Sequence, residues 1–235
     1  MRLRAMASQG LLTASRLYLV RHGQVADGHT DRYHGHNDVA LSPTGVRQCE
    51  ALAAYLKDVA FHGIYASDLT RTRRGAEIIG QGRGLPVQAI PAFREINFGV
   101  WEGLTFQEIM DRYPEQLRQR FADLANFRIP GGESLQDLQS RVMPQLTALC
   151  QRHVGEAFLI VAHAGINRVI LAQALNLDLA SIFRLDQAYA GLNIIDYYPD
   201  LAVVRLVNGV FYPPELRPAQ AMGSGYKDSK TGKEA

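Results

Sequence analysis

Cysteine is nearly missing from this chain. Only Cys49 and Cys150 occur in 235 residues, and both fall at apolar positions of helix-like segments, where a free thiol behaves as a small hydrophobe. That placement argues against a disulfide scaffold and against a cysteine nucleophile. Long apolar runs are missing too. The longest candidate, residues 158–175, is interrupted by His163, Asn167 and Arg168 and falls short of a membrane span. Nor does charge of one sign dominate: 25 Lys and Arg stand against 23 Asp and Glu, a formal net charge of +2. The basic residues are scattered, which argues against a surface built to coat nucleic acid. A cytoplasmic protein without membrane or nucleic-acid partners is therefore expected. Tryptophan occurs once, as Trp101, and reads as a packing anchor.

What is present is an alternation of strand and helix patterns. Short apolar runs at residues 16–20, 63–66 and 157–161 are each followed by a helical pattern, the signature of buried parallel strands. Such alternation predicts a three-layer α/β/α domain with a mostly parallel central sheet. Ser42-Pro43 is a helix start, followed by Val46, Cys49, Leu52 and Leu56 at helical spacing. Ser134 opens the longest helix, with Leu135, Leu138, Val142, Leu146 and Leu149 along one face. Residues 101–130 carry short helical patterns broken by Pro114, Pro130 and Gly131-Gly132, and read as a helical insertion over the sheet. Residues 192–198 and 201–207 form a strand pair turned at Pro199-Asp200. The expected organisation is a flexible extension over residues 1–15, one domain over 16–213, and a disordered tail over 214–235.

Ligands of open α/β sheets bind at the carboxyl ends of parallel strands. Three of the predicted strands end in polar groups: Arg21 and His22 after the first, Ser67 with Arg71 after the second, His163 after the last. A neutral imidazole is a nucleophile, and an adjoining guanidinium holds two oxygens of a phosphoryl group. Each residue alone has a plainer reading, as a core histidine or a solvated arginine. Their joint occurrence at equivalent strand ends points to chemistry on phosphate. His29, His34, His36 and Asp38 invite a metal reading, but their spacing matches no ligand pattern, so neither a metal nor a cofactor is expected.

The runs Leu19-Val20-Arg21-His22-Gly23-Gln24, Ser67-Asp68-Leu69-Thr70-Arg71-Thr72, Arg94-Glu95-Ile96-Asn97-Phe98-Gly99-Val100-Trp101-Glu102-Gly103 and Val161-Ala162-His163-Ala164-Gly165 resemble the histidine phosphatase superfamily. The resemblance implies a phosphoglycerate mutase-like fold and phosphoryl transfer through a phosphohistidine on His22. It also implies a phosphate pocket of Arg21, Arg71 and His163, with Glu95 as general acid and then base. Gln24 and the backbone N–H of Gly35 are further candidates for substrate binding, although Gln24 stands where many relatives carry glutamate. Tyr33-His34-Gly35-His36, Gly132-Glu133-Ser134 and Phe183-Arg184-Leu185-Asp186-Gln187 are most similar to the α-ribazole phosphatases. A small phosphorylated metabolite such as α-ribazole 5′-phosphate is thus the implied substrate. A broad-specificity phosphatase, a phosphoglycerate mutase and a non-catalytic phosphate-binding module are the alternatives, and a homodimer is left open.

Overall fold

The computed structural model describes residues 13–28 and 30–217. Its core follows from strands that are apolar at nearly every position. Along β1 (Ser15–Arg21), Leu17 and Leu19 face one side of the sheet while Tyr18 and Val20 face the other. In β4 (Ala157–Ala162), Phe158 and Ile160 oppose Leu159 and Val161 in the same way. Successive side chains point to opposite faces of a strand, so such strands need cover on both sides.

β2 (Phe61–Ala66), β3 (Val87–Ala89), β5 (Leu192–Tyr198) and β6 (Leu201–Gly209) complete a six-stranded sheet ordered β3-β2-β4-β1-β5-β6. The four strands from β3 to β1 run parallel, and β5 is antiparallel to both β1 and β6. The mostly parallel sheet matches the expectation. β3 does not: this three-residue edge strand is nowhere fully buried and so carries no apolar run to announce it.

Helices α1 (Pro43–Tyr55) and α2 (Thr70–Ile79) cover one face, packing Leu52, Ala76 and Ile79 with Val20 and Val161. Helices α5 (Leu135–Arg152) and α6 (Ala164–Leu175) cover the other, packing Leu138, Val142, Ile166 and Ile170 with Leu17 and Phe158. Each large aliphatic side chain so buried stabilises the fold by about 1.5–3 kcal/mol. Both helix starts lie where capping chemistry puts them. Ser42 accepts the Gly45 N–H at 3.0 Å ahead of Pro43, and Ser134 forms a reciprocal capping box with Asp137.

The insertion contributes α3 (Phe106–Arg112) and α4 (Pro114–Ala122), which share a small apolar cluster of their own with Trp101, Ile109, Leu117 and Ile129. Cys49 is buried, Cys150 is partly buried, and both are free thiols. Order continues past residue 213: Pro214–Leu216 form a 3-10 turn, tied down where Gln48 Nε2 donates to the Leu216 carbonyl at 2.8 Å. The rest of the expected tail, residues 218–235, and residues 1–12 of the expected extension lie outside the described residues. Among the described residues no helix is long and apolar enough to cross a membrane.

Candidate active site

Strand order brings the polar strand ends together. Arg21 pairs in register with Ala162, and Ala66 with Val161, so the chain leaves β1, β4 and β2 at one edge of the sheet. Ser67, His163 and His22 each follow one of these adjacent ends.

His22 is 6% exposed, and its Nδ1 lies 2.7 Å from the Gly23 carbonyl. A carbonyl oxygen only accepts, so Nδ1 carries the hydrogen and the Nε2 lone pair is free. Burial pushes the pKa of this ring well below the usual histidine value, and Arg71 and Arg21 press it in the same direction. The ring therefore stays neutral. Its centroid is 5.2 Å from that of His163, edge to face at 66°.

Arg21, at the end of β1, lays its guanidinium 3.9 Å over the Tyr189 ring and donates through Nη1 to the Gln187 carbonyl at 2.6 Å. Its Nε is buried without a partner among the described residues. A buried donor left unpaired is costly, and a bound oxyanion would satisfy it.

His163 is fully buried at the N-cap of α6. Arg71 Nε donates to its Nδ1 at 3.3 Å, so Nε2 carries the hydrogen and donates to Ser67 Oγ at 2.9 Å. The Ser67 hydroxyl lies 2.6 Å from Thr72 Oγ1, whose own hydrogen goes to backbone carbonyls, that of Leu69 at 2.8 Å. Donor follows acceptor along the whole relay, which fixes one tautomer. Burial, then Arg71 and His22, hold this ring's pKa well below the usual value too.

Arg71 is 1% exposed. Besides His163 it donates to the carbonyls of Asn37 at 2.7 Å, His34 at 3.1 Å and Gly35 at 2.8 Å. Four of its five N–H groups are thus engaged, so it anchors the 34–37 loop and leaves one donor for a ligand. Glu95 follows the 3-10 turn Pro91–Phe93 and is 8% exposed. Its carboxylate accepts the backbone N–H groups of Ile96 and Gly165, each at 2.9 Å. A Cβ at position 165 would overlap the carboxylate in this position. Arg94 takes no part: it pairs with Asp68, Nε to Oδ1 at 2.7 Å.

Two expected contributors present polar groups that are hydrogen-bonded within the protein. Gln24 Oε1 accepts from Ser42 Oγ at 3.2 Å, so its side chain serves the start of α1. The Gly35 N–H donates to Glu102 Oε2 at 3.0 Å, so it is occupied and only its carbonyl reaches Arg71. In the neighbouring loop His34 Nε2 bonds Asp27 Oδ2 at 2.7 Å, while Asp38 caps α2 by accepting the Thr70 N–H at 2.7 Å. His29 lies outside the described residues, and among those described no three His, Cys, Asp or Glu side chains gather as metal ligands.

Arg21, His22, Arg71 and Glu95 line one end of a cavity of about 300 Å³, within the range of small-molecule sites. Phe98, Phe106, Ile109 and Leu117 bring the insertion to its wall. Tyr189, Arg168 and Arg120 also line it and were not anticipated. Arg168 left a trace as a charge within an apolar run. Arg120 and Tyr189 left none, lying among ordinary polar and small residues.

Neutral paired imidazoles backed by guanidiniums at the carboxyl edge of a parallel sheet define an anion-handling α/β protein. The family model described as the histidine phosphatase superfamily (branch 1) matches residues 17–209, and the chain belongs to that superfamily. It is 34% identical over 202 residues to a bifunctional protein of Mycobacterium tuberculosis, covering 85% of this chain and 55% of that protein. The chain therefore spans about half the length of that relative. It is 31% identical over 180 residues to phosphoserine phosphatase 1 of Hydrogenobacter thermophilus, covering 77% of this chain and 85% of the relative. The crystal structure of the α-ribazole phosphatase from Shigella flexneri superimposes with a TM-score of 0.76 at 28% identity, covering 83% of this chain and 96% of the other.

Proposed function

We propose that this protein is a metal-independent phosphomonoester hydrolase that works through a phosphohistidine on His22. The observation that carries the reading is the orientation of that ring. Nδ1–H is committed to the Gly23 carbonyl, which leaves Nε2 as an unprotonated nucleophile in a cavity shared with Arg21, Arg71 and Glu95. In the first step Nε2 attacks phosphorus, the bond to the ester oxygen breaks, and protonated Glu95 gives its proton to the leaving alkoxide. In the second, water attacks the phosphohistidine, its proton passes to Glu95, and phosphate leaves with His22 neutral again. Phosphoryl transfer depends mainly on positioning and on compensating the charge of the equatorial oxygens. The unpartnered Nε of Arg21 and the remaining donor of Arg71 supply that compensation, and His163 holds Arg71 in position.

The substrate is a small cytoplasmic phosphorylated metabolite, and α-ribazole 5′-phosphate is its leading candidate, because the apolar wall suits an aromatic base. A panel containing α-ribazole 5′-phosphate, phosphoglycerates, nucleotides and p-nitrophenyl phosphate tests this. Phosphate release undiminished by chelator, together with radiolabel trapped on His22, is the expected outcome. Isomerisation of 3-phosphoglycerate with 2,3-bisphosphoglycerate and no phosphate release would identify a mutase. Absence of turnover on the whole panel would leave a phosphate-binding module.

A further inference from the structure

Arg120 sits on α4, outside the group of residues assigned to the phosphate. It is only 8% exposed, yet Nη1 has no hydrogen-bond partner among the described residues. Its guanidinium lies 5.9 Å over the Trp101 ring. Otherwise it shares the cavity with apolar neighbours, Phe98, Phe106, Ile109 and Leu117 among them, and with Tyr33, whose buried phenol stays neutral. A cation in such surroundings destabilises the free protein unless something pairs with it. The arginines used for structure differ: Arg16 and Arg205 both close on Asp196, and Arg141 closes on Glu133.

We propose that Arg120 is a specificity-determining residue. It receives an electron-rich acceptor, a carboxylate or an uncharged carbonyl or ring nitrogen, on the part of the leaving group remote from the phosphate. The substrate class is then a phosphomonoester with an apolar, ring-sized body and an acceptor at its far end. This rests on the phosphatase reading above and adds what lies beyond the phosphate. Pairing restores the missing partner, and a charged acceptor does so more strongly than a neutral one.

The test compares phenyl phosphate with its 3- and 4-carboxy and 3- and 4-acetyl derivatives on wild-type protein and on Arg120→Met. Taking the variant-to-wild-type ratio for each compound cancels differences in leaving-group reactivity. The kcat/KM ratio should fall about 10- to 100-fold for a carboxylated compound, about 2- to 10-fold for an acetylated one, and by less than about twofold for phenyl phosphate. Arg120→Lys should retain part of the carboxylate preference. Because the substitution removes an unpaired buried charge, the melting temperature of Arg120→Met should equal or exceed that of wild type.

An equal loss on every compound with a lower melting temperature would show that Arg120 only packs the wall, and no loss on any compound would also overturn the proposal. If wild type hydrolyses none of the five, the phosphatase reading fails instead. Calorimetry on His22→Ala protein then decides the subsite alone: tighter binding of a carboxylated ester than of phenyl phosphate must vanish when Arg120→Met is added.

Discussion

The two sides of the cavity are built by different rules. At the sheet edge nearly every polar group is committed: His163 is locked by Ser67 and Arg71, Glu95 by two backbone N–H groups, and the fork of Arg71 by the 34–37 loop. What is left open there is Arg21 Nε, the Nε2 lone pair of His22 and one donor of Arg71. The opposite wall rests on two short helices around a small separate apolar cluster, and it carries an unpaired cation. A fully satisfied network holds one geometry, as phosphoryl chemistry requires. A short insertion with its own apolar cluster can vary in its side chains without disturbing that geometry. The proposed function thus assigns chemistry to the sheet edge and selectivity to the insertion.

Removing the nucleophile breaks this division most directly. His22→Ala should reduce kcat by about 10⁵-fold or more while leaving the far-ultraviolet circular dichroism and phosphate binding in place; retention of turnover would move the chemistry elsewhere. Glu95→Gln comes next, with kcat lowered about 10²- to 10⁴-fold and the affinity for inorganic phosphate nearly unchanged. On the other wall, Trp101→Ala should cost about 3–5 kcal/mol of stability in denaturant titrations. It should raise KM for substrates with an apolar body and leave inhibition by phosphate alone as it was. An equal effect on phosphate inhibition would mean that the two walls are one unit.

The smallest effect is on pH dependence. Both site histidines are held neutral in the folded protein, with burial the main cause, whereas in the unfolded chain they take up protons near pH 6.5. The unfolded state then binds more protons than the native one, so stability is retained above that pH. It falls with acidification until the depressed native pKa is reached. The slope is about 1.4 kcal/mol per pH unit for each ring, and His22→Asn should remove one ring's share. Native stability that does not change between pH 6.5 and 5 would contradict the neutral pair.

Elements announced by local chemistry were legible in the chain. Ser42 with Pro43 and Ser134 with Asp137 mark helix starts because a cap is made within one turn. The position of His22 and His163 just after apolar runs was enough to place both at strand ends. Gln24 and Gly35 differ from expectation for one reason. In the fold Gln24 Oε1 accepts from Ser42, and the Gly35 N–H donates to Glu102, a partner 67 positions away. β3 was hidden by its length, and Arg120 by the ordinary polarity of α4.

The continuous apolar runs of β1 and β4, the helical stripes over them and the identity of the residues at the strand ends are properties of the chain alone, since each depends on neighbours a few positions apart. Tertiary structure decided that β4 lies between β2 and β1, so that two imidazoles approach to 5.2 Å. It also decided that Arg71 is largely committed to a loop while Arg21 and Arg120 each keep an unpaired nitrogen. A side chain's partner is set by distances that exist only after distant segments have packed, whereas periodicity is written into the backbone geometry of each segment.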